Sequence, residues 1–297
     1  MQLPEVERRV AWPELFSMAR AAEAVGVDSL WLGDHLLYDL AGGETRGPWE
    51  VWTSLAAIAA VTDRVELGPL VASTSFHAPA MLAKQAATVD AISGGRLIVG
   101  LGAGWNEREY RAFGFPFDRR VDRFAESLTV IAALLRDGRI DHHGEFFDLD
   151  DCVLDPPPVR PGGPPLMVGS IGPRMLSIAM PVADAWNAWW SQYGNSVDGF
   201  VELKGRVDAA IAAAGRTAGS VAATACVLVQ LDDGSGRVMG DFPGRDIHPV
   251  TGGSDGIADH LAALAAAGAD HVQLVLDPIT ESSIETIGTV LEILDRT

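Results

Sequence analysis

AEAVGVDSLWLGD, residues 22–34, and AAAGADHVQLVLD, residues 265–277, repeat one pattern at two distant places in the chain. Each passes from an alanine-rich helical stretch through Gly and Asp into a short apolar run. Gly26 and Gly268 suit the left-handed residue that closes many helices, and Asp28 and Asp270 open the runs that follow. A looser copy, AMPVADAWNAWW, covers residues 179–190. Strands fed by helices in this way pair in parallel, because a parallel neighbour is reached only through a crossover.

Working outward, short apolar runs bounded by turn residues predict strands at 29–33, 64–73, 96–104, 164–170, 183–189, 221–230 and 271–276. Helical stretches fall between most of them, at 13–25, 49–61, 79–92, 118–136, 173–180, 197–214 and 256–267. Asp255 is the expected N-cap of the last. Seven strands make an awkward closed barrel. The eighth is expected in MQLPEV, where Gln2 and Leu3 read as the tail of a first strand truncated by the chain start. The predicted fold class is α/β, a (β/α)8 TIM barrel with insertions, in one domain over residues 1–297; an open doubly wound sheet is the competing arrangement.

Two segments interrupt the alternation. Residues 137–165 are long and proline-rich for a loop, and HHGEFFDLDDCVL within them predicts an excursion hairpin. Residues 231–255, rich in Gly and Asp, predict a mobile surface loop or a cover over the barrel mouth.

The net charge of −18 opposes nucleic-acid or anionic-membrane partners, which demand basic patches. Cys152 and Cys226 match no metal or redox spacing and are expected as packing residues. With no export signal and no bilayer-length apolar run in view, the expectation is a cytoplasmic protein acting on a small-molecule substrate.

Chemistry in a parallel barrel collects at the carboxyl ends of its strands. Those ends carry Asp34 and His35, Ser73 and Thr74, Gly102 to Asn106, Gly169 to Gly172, and Asn187. A buried strand running straight into an acid and a histidine is costly unless it opens onto a site. The plainer alternative makes Asp34 a turn cap and His35 a satisfied interior histidine. GLGAGW, residues 100–105, lacks the full dinucleotide fingerprint, but Gly102 and Gly104 would let a flat ligand approach the backbone, with Trp105 beside it. VGSIGPRML, residues 168–176, ends a strand in a turn with exposed N–H groups, followed by Pro173 and Arg174. It reads as an anion site or as an ordinary strand-to-helix turn. Motifs of nucleophilic or metal-assisted hydrolysis are missing from the sequence.

Three segments, AEAVGVDSLWLGDH, HAPAMLAKQAATVDAISGGRLIVGLGAGWNEREYRAFGFPF, and PPLMVGSIGPRML followed by ADAWNA, resemble the bacterial luciferase-like flavin and deazaflavin oxidoreductases. The likeness extends over essentially the whole chain and is strongest to the coenzyme F420-dependent branch. It implies a TIM barrel with insertions, although members start upstream with a complete first strand. It also implies Asp34 and His35 near the deazaflavin ring, a non-prolyl cis peptide at Leu70–Val71 backing the ring's far face, and Ser73 in contact with the cofactor. Gly102, Gly104 and Trp105 would line the ring and side chain, while Gly169, Ser170, Ile171 and Gly172 would hold the phosphate.

The activity so implied is hydride transfer between coenzyme F420 and a small organic substrate. His35 would move a proton, and Asp34 would orient it or meet the cofactor. Sugar-phosphate dehydrogenases of the branch carry a glutamate near the position of Trp105, which argues against glucose 6-phosphate here. Substrate contacts are expected around residues 38–49, 189–193 and 231–255. A homodimer is the usual state of such barrels. Two rivals stand: an FMN-dependent monooxygenase using reduced flavin and oxygen, and a non-catalytic family member.

Overall fold

The computed structural model describes residues 1–40, 42–236 and 248–296. Its centre is a ring of parallel strands: Ser29–Leu32, Glu66–Pro69 continued by Ala72–Ser73, Val99–Gly102, Leu166–Val168, Ala185–Ala188, Ala222–Gln230 and His271–Asp277. Residues 1–3 fill the eighth place. Trp31 N donates to Met1 O and Leu3 N to Trp31 O (2.9 Å each), while Gln2 N donates to Leu274 O at 2.7 Å. Three residues therefore bridge the second and last strands and close the barrel. The strand expected at Gln2 and Leu3 is short and pairs on both sides.

The run 64–73, expected as one strand, is two. It breaks at a cis peptide between Leu70 and Val71, the bond the family resemblance implied.

Alternation of helix and strand follows from burial. Trp12–Ala24 buries Leu15, Met18, Ala19 and Ala22, spacings of three and four that put one face on the barrel. Pro79–Ser93 starts on a proline, whose missing N–H costs nothing there, and stops at the left-handed Gly94.

Two helices escaped the sequence reading. Glu107–Phe113 follows strand Val99–Gly102, capped by Asn106. Glu281–Leu294 is capped by Thr280, buries Ile284, Ile287 and Val290, and packs against Trp12–Ala24. Asp255 is not the cap of its helix. Gly256 N already donates to Gly252 O, so Gly253–Ala266 begins three residues earlier than expected, and Asp255 sits in the first turn, where its charge suits the helix dipole.

The first insertion forms the expected hairpin, with Arg139–His143 antiparallel to Asp148–Val153. Of the second, residues 237–247 lie outside the described residues; Val250 makes a parallel bridge to Val229. Among the described residues no helix is long and apolar enough to cross a membrane.

Candidate active site

The carboxyl ends of the strands surround a cavity of about 470 Å³. Eleven of the twelve site residues implied by the family resemblance line it: Asp34 and His35, Leu70, Val71 and Ser73, Gly102, Gly104 and Trp105, and Gly169, Ser170 and Ile171. Gly172 does not. It is the N-cap of Pro173–Ala179, and its backbone turns away into the helix. Asn187, named as a strand end, also lines the cavity. Among the proposed substrate segments, Tyr38, Trp189, Ser191 and Gln192 line it too. Trp49 instead packs at a tilt against Trp12, with its ring N–H donating to Val10 O.

Asp34 is nearly buried, and its Oδ2 accepts the Ser73 N–H at 2.8 Å and faces His77 Nε2 at 2.9 Å. It therefore ties the strand end Ser29–Leu32 to the segment after the cis peptide, and does not orient His35. That work falls to Glu109, a residue the sequence reading missed. Its carboxylate, 1% exposed, lies 3.1 Å from His35 Nδ1 and also accepts the N–H groups of Leu36 (2.6 Å) and Leu37 (3.3 Å). Tyr38 and Trp105 flank the imidazole with ring centroids at 4.6 and 5.7 Å.

Burial alone would push the His35 imidazole down. The Glu109 hydrogen bond and the charges of Glu109, Glu5 and Asp34 outweigh it, and the pKa rises above the ordinary histidine value.

The glycines were expected to let a flat ligand approach the backbone. The structure gives their space to protein atoms instead. A Cβ on Gly102 would lie 2.9 Å from Val71 Cγ2, and one on Gly169 would lie 3.1 Å from it, so both glycines make room for Val71 in the cavity floor. At Gly104 (φ +73°) a Cβ would fall 2.1 Å from Tyr110 Oη and 2.3 Å from Ser73 Oγ. These two hydroxyls bond each other at 3.2 Å, and the tyrosine donates to Ala103 O at 2.8 Å.

On the opposite wall, Trp186 Nε1 donates to Ser170 O at 2.8 Å and fixes the turn. The N–H groups of Ser170, Ile171 and Gly172 reach no acceptor among the described residues. Arg174 is turned outward to an ion pair with Asp122, so it adds no charge to the cavity. Among the described residues the guanidinium lining the cavity is Arg120, also missed, which donates to Gly104 O at 2.6 Å and lies 4.0 Å over the Phe117 ring. Neither Glu109 nor Arg120 follows a strand directly; each sits near the start of a helix in a run of charged residues, where a sequence reads as solvated surface. Among the described residues no cluster of His, Cys, Asp and Glu is arranged to hold a metal.

With this geometry in place, comparison identifies the fold and the family. Residues 2–248 match the model of the luciferase-like monooxygenases, and the chain belongs to that family. A phthiodiolone/phenolphthiodiolone dimycocerosates ketoreductase of Mycobacterium tuberculosis is 34% identical over 192 residues, 59% of this chain and 50% of that protein. The chain spans about half the length of the curated relatives it matches. An F420-dependent secondary alcohol dehydrogenase, solved with an F420–acetone adduct, shares the fold with a TM-score of 0.81 at 18% identity, covering 95% of this chain and 94% of its own. A riboflavin lyase solved with modified FMN and riboflavin gives 0.80 at 18% identity, over 96% of this chain and 85% of its own. Enzymes of both cofactor types share this barrel.

Proposed function

We propose that the chain is an oxidoreductase passing a hydride between the deazaflavin coenzyme F420 and a small organic substrate. The observation that carries this reading is the His35–Glu109 pair on the cavity wall. Reducing a carbonyl consumes a proton along with the hydride, and oxidising an alcohol releases one. A group that holds and releases a proton near neutral pH, within reach of the substrate oxygen, serves either direction. Two of the proteins named above, a ketoreductase and a secondary alcohol dehydrogenase, carry chemistry of this kind in their names.

The residues fit a deazaflavin. The cavity volume falls within the usual range of small-molecule sites. Val71 and Leu70 offer an apolar floor for a ring. Arg120 and the N–H groups of Ser170 and Ile171 offer donors to a phosphate. When bound, the deazaflavin supplies the carbon that carries hydride. Asp34 ties two strand ends and keeps Ser73 in place; Glu109 fixes the imidazole and favours its protonated form; His35 gives or takes the substrate proton.

Fluorescence titration with F420 and FMN tests the reading. Tight F420 binding with weak FMN binding supports it, and His35→Ala should then cut turnover by roughly 10²–10⁴ while largely sparing F420 affinity. Full turnover in that variant, with unchanged pH dependence, would remove His35 from the chemistry. The riboflavin lyase likeness, for FMN, and the monooxygenase family, for oxygen, together favour one second reading, FMN with oxygen. Preference for reduced FMN together with oxygen uptake would establish it in place of the first.

A further inference from the structure

The geometry points to Asn187 as a specificity-determining residue whose side-chain carbonyl accepts a hydrogen bond from an N–H or O–H of the ligand in the cavity. Asn187 is 2% exposed, on strand Ala185–Ala188, and lines the cavity. Behind it lies a buried polar cluster inside the barrel, made by Thr224 and Gln273 on the next two strands. Asn187 Nδ2 donates to Thr224 Oγ1 and to Gln273 Oε1, each at 2.9 Å. Gln273 Nε2 donates to Thr224 Oγ1 at 3.2 Å, and the threonine hydroxyl points its hydrogen at Met167 Sδ, 3.7 Å away.

Hydrogen counting fixes the amide orientation. The two hydrogens on Asn187 Nδ2 meet two acceptors, and every contact in the cluster has its proton. Turn both amides over and the single threonine hydrogen would have to serve Asn187 Oδ1 and Gln273 Oε1 together, leaving one pair of oxygens lone pair to lone pair. Asn187 Oδ1 is then the atom left over, with no partner among the described residues. It is held at the cavity wall by a side chain that cannot rotate without breaking two bonds. A buried carbonyl in that position selects for a donor and against a ligand that presents a methyl or a lone pair there.

Two sources of such a donor exist under the function proposed above, on which the choice of probes rests: the imide N–H of a flavin or deazaflavin ring, and the hydroxyl of an alcohol substrate. The full chain and its Asn187→Leu variant are titrated with F420, with FMN and with 3-methyl-FMN, whose imide N–H is replaced by N–CH3. Both proteins, free and F420-loaded, are then melted with cyclohexanol and with methoxycyclohexane.

If the ring is the donor, wild type loses at least tenfold affinity on N-methylation, and the variant binds FMN and 3-methyl-FMN alike. If the substrate hydroxyl is the donor, cyclohexanol raises the wild-type Tm and the ether does not, while the variant fails to tell them apart. Wild type and variant behaving alike on both pairs overturns the assignment, as does a wild type that separates neither pair. Asn187→Ala replaces the leucine variant if circular dichroism shows the latter unfolded. Failure to bind either F420 or FMN, with the alcohol pair still separated by free wild type, sinks the proposed cofactor and leaves the role of Asn187 standing.

Discussion

His35 Nδ1 and Glu109 lie 3.1 Å apart across 74 residues of sequence, joined at the mouth of the barrel. The carboxylate is pinned by two backbone N–H groups before it meets the histidine, so the imidazole adopts its orientation from Glu109 rather than the reverse. Nε2 is left as the ring nitrogen available to the cavity.

Replacing Glu109 by Gln should lower the His35 pKa. The folded value is raised, so the pair contributes stability fully present below about 6.5 and lost as pH rises through the folded pKa. NMR titration of the His35 ring should show its midpoint move down in the variant. Urea unfolding should show a loss of about 2 kcal/mol near pH 6 that shrinks in alkaline buffer. An unmoved midpoint would mean that Glu109 does not govern the histidine.

Arg120→Gln keeps a donor for Gly104 O and removes the charge. If Arg120 meets the cofactor phosphate, affinity should fall by roughly 10- to 100-fold, matching the ~1.5–3 kcal/mol of a charge-assisted hydrogen bond. The salt dependence of binding should flatten as well. Equal affinity at low and high salt in both proteins would place the phosphate elsewhere.

Gly104→Ala forces a side chain into a left-handed residue and onto two hydroxyls. A loss of about 3 kcal/mol is expected, with the Ser73–Tyr110 bond broken. Gly172→Ala is the natural control, since φ is −69° and no atom lies within 4 Å of its Cβ. That change should stay within about 0.5 kcal/mol of wild type. Chemical denaturation of the two variants side by side checks both values.

His271 accepts or donates at Ser29 Oγ, 2.7 Å away, and burial holds its pKa down to about 4. Unfolded, it titrates near 6.5, so between those values the unfolded chain binds the extra proton and stability falls as pH falls. The window accounts for up to about 3 kcal/mol. His271→Gln should lose this slope. Unfolding free energies measured at pH 7 and pH 4.5 should differ less in the variant than in wild type.

The barrel was legible because its strands are bounded by chain-local signals: Gly26 before one, Gly268 before another, apolar runs with turn residues at both ends. Most of the site was legible for the same reason, since barrel topology turns strand ends into a list of candidates. Glu109 and Arg120 were not legible. Their roles come from partners 74 and 16 positions away, and NEREY and DRRVDR read locally as solvated surface. Gly102 and Gly104 line the cavity, and what their missing side chains make room for, Val71 and Tyr110, is set by tertiary packing that no local run displays. The helix Glu281–Leu294 had a legible cap in Thr280 and an apolar stripe, and lay beyond the last strand recognised.

The contact between Ser29 and His271 spans 242 positions, and the pairing of residues 1–3 with Trp31 and Leu274 lies beside it. A chain segment must surrender much of its freedom before contacts so distant repay it, so this seam is expected to join late in folding. Weakening it should then hasten unfolding while leaving the refolding rate nearly unchanged. The expected consequence is that the ring opens from this seam, so that the lifetime of the native protein follows the seam more than the packed strands around the cavity.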